Sequence, residues 1–436
     1  MEDGWHAHPH KFLENLDAIM AKNEKYGFRR YFMSEVCNAW FKLGVKGHDG
    51  HNSDEPDRAT FEAIEQAIVK LHENGHSLHI WSWGDEARRW TPKGVSGGTN
   101  GYADRRVQRY IAARLGPLPN WTMGYGFDLH EWAGEDGLRS WAEYLHERMG
   151  WPHLIWARAR SNSELDVLSY ADMCHDYNAA VNNLNSDNNR PHLFEERDLY
   201  KRTCADMNWT RTHLWHYTLA GGHAGFFGQY FNNKAEYPNP EQIKTFFTFW
   251  RDNNRLLLDM EADNGLSNGY CLITPGKTHA VFYKENTSSV EMKLSGFNGT
   301  MSAVAVDTKK DYEEVTVEVS KSDMSWDAPR SSDWAIAVGE FEEEPVSVAR
   351  NAQQAGVAHA PVQARHTGNM LEVTGLSMHR AYTVTLIDTR GRVSTIRETS
   401  GPRGRLSIPT ANRSPGVYVV TAQTSRERLR TIAVLY

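Results

Sequence analysis

Two apolar runs in this chain end in carboxylates. Trp121-Thr-Met-Gly-Tyr-Gly-Phe leads into Asp128-Leu-His130-Glu131-Trp132, and Pro191-His-Leu-Phe leads into Glu195-Glu196-Arg197-Asp198. Each run reads as a buried strand that delivers acid side chains where the strand stops. In a barrel of parallel strands, all such ends face one mouth. Two carboxyl groups across a mouth, one giving a proton and one attacking or activating water, are the apparatus for breaking a glycosidic bond.

Asp128 and Glu131 compete for the first role. A carboxyl packed beside Tyr125 or Trp132 would hold its proton, as a general acid must, while Asp128 equally suits the cap of a following helix. Glu195 and Glu196 compete for the second. Adjacent strand residues point to opposite faces, so one faces the interior and the other faces the helices or pairs with Arg197 or Arg202. Aromatic faces near strand ends (Trp81, Trp83, Trp90, Trp132, Trp215) suit the stacking of sugar rings, with Trp83 and Trp132 the leading candidates, or simple core packing. Arg88, Arg89, Arg158 and Arg160 also fall near strand ends. Guanidinium groups grip carboxylate or sulfate bidentately, so Arg158 and Arg160 raise an anionic sugar as substrate, with ion pairing inside the protein as the alternative. His216 reads as the end of a last strand, and the Gly221-Gly-His223-Ala-Gly225 loop after it could let a sugar approach the backbone. His6-Ala-His8-Pro-His10 has metal-ligand types, but no apolar strand precedes it and no second cluster follows. No metal or other cofactor is expected.

These residues need a frame. Alternating apolar runs and three-to-four-residue periodicities fill the first 254 residues. Helices are expected at 11–26, 58–74, 104–115, 138–148, 179–184, 198–208 and 240–253, and strands at 28–36, 77–83, 122–127, 153–159, 192–196 and 212–219. Residues 166–173 form either a weak strand or a helix. That is a (β/α)8 pattern, a TIM barrel, with about seven strands where closure needs eight. The missing strand would precede the first helix, so the first strand is expected upstream, lost to truncation or a misassigned start. From residue 255 to 341 short alternating segments split by Gly, Asn and Ser predict an antiparallel β-sandwich. Residues 342–364 read as a linker, and 365–436 as a second small all-β sandwich.

Composition bounds the partners. The 436 residues carry 40% hydrophobic and 24% charged side chains and a net charge of -7, which argues against general nucleic-acid binding. No apolar run of membrane-spanning length occurs. Residues 365–436 hold 11 Arg, no Lys and four acids, so +7 sits there and -14 on the rest. Four scattered cysteines show no metal spacing and read as buried thiols. The opening Met-Glu-Asp-Gly-Trp-His lacks a signal-peptide pattern.

With Gly126-Phe127-Asp128, Phe194-Glu195-Glu196-Arg197, Gly222-His223-Ala224-Gly225 and the closing segment Pro329–Val338 in hand, the first 340 residues resemble the apiosidase-like glycoside hydrolases. That resemblance implies a (β/α)8 barrel followed by a small β-sandwich. Its strand four ends in Gly-Gly-Asp with the Asp as acid/base, which places that role on Asp128, the middle Gly being Phe127 here. Its strand seven ends in Asp-Gly-Glu-Pro with the Glu as nucleophile, which places that role on Glu196, with Glu195 still open. Ser414-Pro-Gly-Val-Tyr-Val-Val-Thr and Leu429–Leu435 resemble the type A sorting domain of the Bacteroidetes type IX secretion system, implying export, contact with secretion machinery and a secreted or cell-surface location. The other reading of that domain is a generic carbohydrate-binding β-module. The expected function is therefore retaining hydrolysis of a plant or algal polysaccharide. A non-catalytic carbohydrate-binding protein on a degenerate barrel is the alternative, and a metal hydrolase a third.

Overall fold

A computed structural model describes residues 9–33, 36–42, 53–87, 90–150, 153–158, 165–170, 177–186, 190–196, 207–227, 239–257, 259–341, 363–367, 370–374, 376, 381–388, 393–401, 405–410, 413, 416–423 and 428–435. The first unit alternates helices and strands: α1 (Pro9–Asn23), β1 (Arg30–Met33), α2 (Arg58–Glu73), β2 (Ser77–Trp81), α3 (Tyr102–Tyr110), β3 (Trp121–Gly124), α4 (Gly134–Arg148), β4 (Ile155–Arg158), β5 (Val167–Tyr170), α5 (Tyr177–Ser186), β6 (His192–Glu196), α6 (Met207–Leu219), β7 (His223–Phe227) and α7 (Pro240–Phe247). All seven strands are parallel and lie in sequence order, β1 to β7. Among the described residues β1 and β7 are unpaired edges, which fits a barrel-type sheet one strand short of closure.

The alternation along each strand sorts two cores, because successive side chains point to opposite faces. Tyr31, Met33, Leu78, Ile80, Trp121, Met123, Ile155 and Ala157 face the helices, packed with Phe61, Ile64, Leu71 and Leu145. Trp81, Phe127, Trp156 and Val167 meet inside the sheet, with Phe32 and Leu193 against them. Strands covered on both faces lose the polar–apolar alternation of a half-exposed strand, and this is why β3 is buried at every position. Local signals place the helices. Asp57 caps α2 by accepting the Thr60 N–H at 2.9 Å, and Gly75 (φ +73°) follows its end.

One element departs from expectation. Residues 212–219 are helical, inside α6, and the last parallel strand among the described residues is β7, which begins four residues after that helix ends. The described residues hold seven parallel strands, and the last of them is not where it was expected. Leu214, Trp215, Tyr217 and Leu219 are all buried, and a helix enclosed on several sides shows no clear apolar stripe. Of residues 166–173, Val167–Tyr170 form the strand β5, and 171–173 lie outside the described residues.

The second unit holds β8 (Glu261–Ala262), β9 (Tyr270–Ile273), β10 (Ala280–Met292), β11 (Ala303–Asp307), β12 (Glu314–Thr316) and β13 (Met324–Val338). They form one continuous six-stranded antiparallel sheet, not two separate ones. Register breaks at Lys284/Thr287 and Thr287/Ser289 make β10 one long, irregular strand where short segments were expected. One face packs Leu272, Val281, Tyr283 and Ala335 on Trp215, Phe246, Phe249 and Trp250 of the first unit. Cys271, Phe282, Val290, Phe297 and Ile336 form the other core. Trp215 stacks on Tyr283 at 5.2 Å and 5°, and Arg211 of α6 meets Asp333 of β13 at 2.7 Å with both side chains buried.

The third unit contains β14 (Gln363–Thr367), β15 (Met370–Thr374), β16 (Ala381–Asp388), β17 (Val393–Thr399), β18 (Leu406–Pro409), β19 (Gly416–Gln423) and β20 (Arg428–Leu435). A three-stranded sheet (β14-β15-β18) and a four-stranded sheet (β17-β16-β19-β20) share a core of Leu371, Val373, Tyr382, Val384, Leu386, Ile408 and Val420. Residues 342–362, most of the expected linker, lie outside the described residues. Of the cysteines, Cys37 and Cys271 are buried and not in disulfides, and Cys174 and Cys204 lie outside the description. No helix among the described residues is long and apolar enough to cross a membrane.

Candidate active site

The C-terminal ends of β1 to β7 define the mouth, and its best-described wall lies over β2 and β3. Beyond their named ends these strands stay bonded: Ser82 N–H donates to Gly124 O at 3.0 Å, Trp83 N–H to Tyr125 O at 3.0 Å, and Phe127 N–H to Gly84 O at 3.2 Å. The next residue on each side is a carboxylate, Asp85 after Gly84 and Asp128 after Phe127. The two therefore leave adjacent strands at the same level.

Asp128 has a left-handed backbone, φ 42° and ψ 47°. This conformation costs an L-residue roughly 1–2 kcal/mol, less for Asp than for most. Asp128 is half-buried, and its side chain makes no bond to the 3-10 turn it precedes, Leu129–Glu131. The capping alternative thus finds no support in the geometry. Two glycines make this turn possible. A Cβ on Gly124 would sit 2.2 Å from Trp81 Cζ3, and one on Gly126 would sit 2.6 Å from Trp132 Cζ2. The strand end can pass only because it lacks side chains there.

Glu131 is exposed and accepts the Glu86 N–H at 3.2 Å. It ties the loop after β2 to the loop after β3. Trp83 and Trp132, expected to stack on sugar, are core residues at 1% and 7% exposure. Trp83 Nε1 donates to Asp104 Oδ1 at 3.0 Å, and Trp132 Nε1 donates to Phe127 O at 2.8 Å. Their rings and polar edges are both used by the protein. Asp104, fully buried on α3, also accepts from Tyr125 Oη at 2.5 Å, Asn100 N–H at 2.9 Å and Gln108 Nε2 at 3.0 Å. Burial pushes its carboxyl up, and these bonds offset part of the push. The bonds from Trp83 and Tyr125 clamp the ends of β2 and β3 to α3.

Across the sheet, the backbone of Glu195 and Glu196 ends β6, with Glu196 level with Phe227 of β7 after a register break. Their side chains, that of Arg158 at the end of β4, and the whole of Arg160, Arg88 and Arg89 lie outside the described residues. So does the Asp128–Glu196 carboxyl separation.

His216 and His223 do not belong to the mouth. His216 sits in the last turn of α6, where Nε2 meets Glu285 Oε1 of the second unit at 2.8 Å; helix, not strand, carries it there. His223 starts β7, level with Leu193, at the end opposite the mouth. Residues 221 and 222 form the turn entering that strand, not a loop over the site. Asp85, buried at 5%, is the mouth carboxylate that the sequence reading passed over. The signal was present, since Trp83-Gly84-Asp85 ends an apolar strand just as Phe127-Asp128 does. No metal-type group of His, Cys, Asp and Glu occurs among the described residues; His6 and His8 lie outside them.

No family model and no curated protein sequence matches the chain. Solved structures do. A putative glycoside hydrolase from Bacteroides vulgatus aligns over 77% of this chain and 78% of its own, at TM-score 0.61 and 13% identity. A structure described as a glycoside hydrolase aligns over 76% and 90%, at TM-score 0.57 and 12% identity. A family 5 glycoside hydrolase from Bacteroides vulgatus aligns over 79% and 88%, at TM-score 0.56 and 12% identity. The chain shares its fold with these proteins.

Proposed function

We propose that this chain is a glycoside hydrolase, with Asp128 as acid/base and Glu196, or its neighbour Glu195, as nucleophile. One observation carries the reading. A parallel sheet delivers Asp128 at the end of β3 and Glu195–Glu196 at the end of β6, three strands apart on one mouth. With a first strand counted, these are positions four and seven of the barrel. The shared fold with glycoside hydrolase structures supports the class. In a retaining mechanism, Glu196 attacks the anomeric carbon while Asp128 protonates the leaving oxygen, and Asp128 then activates water to release the sugar. Retention sets the carboxyl groups about 5–5.5 Å apart, against about 6.5–9.5 Å for inversion. The substrate class is a plant or algal polysaccharide, with Arg158 at the end of β4 favouring an anionic one. Its C-terminal β-domain is proposed as a sorting module, with secretion or surface display as its consequence.

The test is reducing-end release from a panel of neutral, uronic and sulfated polysaccharides. On the active substrate, Asp128→Asn and Glu196→Gln are each expected to lose at least about a hundredfold in kcat, the lower range for a general acid–base group. Wild-type rates in both variants would sink the assignment. Among the described residues β1 and β7 are unpaired edges, which favours a second reading, a carbohydrate-binding protein without turnover. Saturable oligosaccharide binding with no product would establish it.

A further inference from the structure

A pocket of about 490 Å³ lies between the start of α2 and the end of α3, within the size range of small-molecule sites. Four cations line it, Lys42, Arg58, Arg106 and Arg114, against one acid, Glu55, and Tyr110 supplies an aromatic wall. Backbone bonds fix the side that precedes α2. Lys42 N–H donates to Glu55 O at 2.9 Å, and Asp57 N–H to Trp40 O at 2.7 Å. The α3 side is cationic by sequence. From Tyr102 to Leu115 there are four arginines and one acid, Asp104, and Asp104 is fully buried. No carboxylate of that stretch therefore offsets the arginines at the surface.

Three of the four cations have carboxylate partners. Lys42 Nζ meets Glu55 at 2.7 Å, and Arg58 Nε meets Glu62 at 2.7 Å. Arg114 grips both oxygens of Glu65, at 2.6 and 2.8 Å. Arg106 has only a carbonyl, Asp54 O at 3.3 Å from Nη1, and among the described residues no carboxylate pairs with it. The Lys42 and Arg58 pairs are exposed on both sides, and exposed pairs hold their partners weakly. Arg58 and Arg106 each spend one of five N–H donors. Such planar forks match the oxygens of a carboxylate or sulfate. Tyr110 is exposed, packs on the buried Phe61 at 5.6 Å, and makes no hydrogen bond through its hydroxyl among the described residues. A ring with one open side beside cations suits a ligand ring that carries an acid. Tyr102, Arg106 and Tyr110 recur every four residues, one row of the helix surface, and Tyr102 is exposed as well. Single-stranded nucleic acid also uses aromatic faces beside arginine. Here, however, the cations converge on one pocket in a chain of net charge -7, which opposes a long polyanion.

We propose that the pocket between α2 and α3 binds a short acidic saccharide, its carboxylate or sulfate ester held by Arg58 and Arg106 and its ring laid on Tyr110. That the ring is a sugar rests on the hydrolase reading; that the ligand is anionic does not. Neither Asp85 nor Asp128 lines this pocket, so it is a site additional to the mouth. Arg114, tied bidentately to Glu65, holds the α3 side against α2, while Arg58 and Arg106 keep donors for the ligand.

The experiment is titration calorimetry of the full chain at fixed ionic strength. The probes are an oligogalacturonate, a sulfated galactose oligosaccharide, the neutral galactose oligosaccharide, inorganic sulfate and an oligo-dT strand. Saturable binding of an acidic saccharide, with the neutral one silent, is the expected result. Arg106→Met is expected to weaken it at least about tenfold, the effect of losing a charge-assisted hydrogen bond, and Tyr110→Leu about threefold or more. Arg58→Gln is read beside them, because a side chain 82% exposed can be replaced without threatening the fold. Each titration is repeated in Asp128→Asn. Binding that depends on Arg106 there, in a chain whose wild type hydrolyses nothing, sinks the hydrolase reading and supports this one. Silence of both acidic saccharides overturns the proposal, as does equal affinity in wild type, Arg106→Met and Arg58→Gln. Inorganic sulfate bound as tightly as the saccharide, with no effect of Tyr110→Leu, reduces the pocket to a bare anion site and overturns it too. Tighter binding of oligo-dT overturns it in favour of nucleic acid.

Discussion

Replacing Asp333 by Asn tests how the first two units are joined. Asp333 is 1% exposed and Arg211 3%, and their Oδ2–Nη2 distance is 2.7 Å. Asp333 Oδ1 meets Lys309 Nζ at 2.8 Å and accepts the Asn286 N–H at 2.8 Å. Arg211 also donates to Gln242 Oε1 at 2.8 Å. Asn keeps the shape and removes the charge, leaving the guanidinium buried without a counter-ion. Breaking a buried pair in this way costs about 3–5 kcal/mol. At roughly 2–4 °C per kcal/mol for a domain of this size, Tm falls by about 6–20 °C. Burial pulls the Asp333 carboxyl up, but the Lys309 and Asn286 hydrogen bonds and the Arg211 charge outweigh it and hold it below its ordinary range. A depressed folded pKa gives stability that is present above the unfolded value, about 3.9, and lost as pH falls through the folded one. The gap between wild type and Asp333→Asn is therefore constant from about pH 5 upward and narrows below about pH 4. Scanning calorimetry from pH 3 to 8 reads both, and Arg211→Met/Asp333→Leu, which removes both charges, is expected to recover most of the loss. A shift under about 2 °C at pH 7, or an equal gap at pH 3, refutes the reasoning.

Two further perturbations probe the wall of the mouth. Gly124→Ala brings a methyl to 2.2 Å from Trp81 Cζ3, and is expected to cost about 1–3 kcal/mol through overpacking, read as a lower urea midpoint; an unchanged midpoint means that Trp81 can move aside. Tyr125→Phe removes the 2.5 Å bond to the buried Asp104, and is expected to cost about 1.5–3 kcal/mol, the range for a hydrogen bond to a charged group. Equal stability of wild type and Tyr125→Phe in the same denaturation assay would show that Asp104 is buried as the neutral acid.

Much of the frame was legible because it obeys local rules. The α2 stretch carries its own start and stop, Asp57 and Gly75, and β2 and β3 are bounded apolar runs of strand length. Where the reading slipped, residues 212–219, every local cue was ambiguous. Thr-His-Leu-Trp-His-Tyr-Thr-Leu is rich in aromatic and β-branched types, which favour strand. Its helix is set by burial against Trp250 and Tyr283, contacts made by residues well down the chain. Pattern reads a segment's own faces, and here the deciding face belonged to another unit.

The same distinction explains the site. Asp128 could be placed at a strand end because a strand end is a local event, whereas Trp83 and Trp132 are core residues because the partner that decides their role is distant or unsignalled. An indole near a strand end stacks on sugar only if its N–H and ring are free. Here Asp104 takes one N–H and the Phe127 carbonyl the other. Histidine shows the stronger form of the rule. His216 and His223 are seven residues apart and on the same side of the last carboxylate cluster, yet one answers Glu285 in the neighbouring sheet and the other starts β7 near Arg30. Parallel strands give direction to every residue on them, so a side chain at the start of β7 cannot serve a mouth built from strand ends. That polarity places Asp128 and Asp85 at the mouth and His223 at the opposite end.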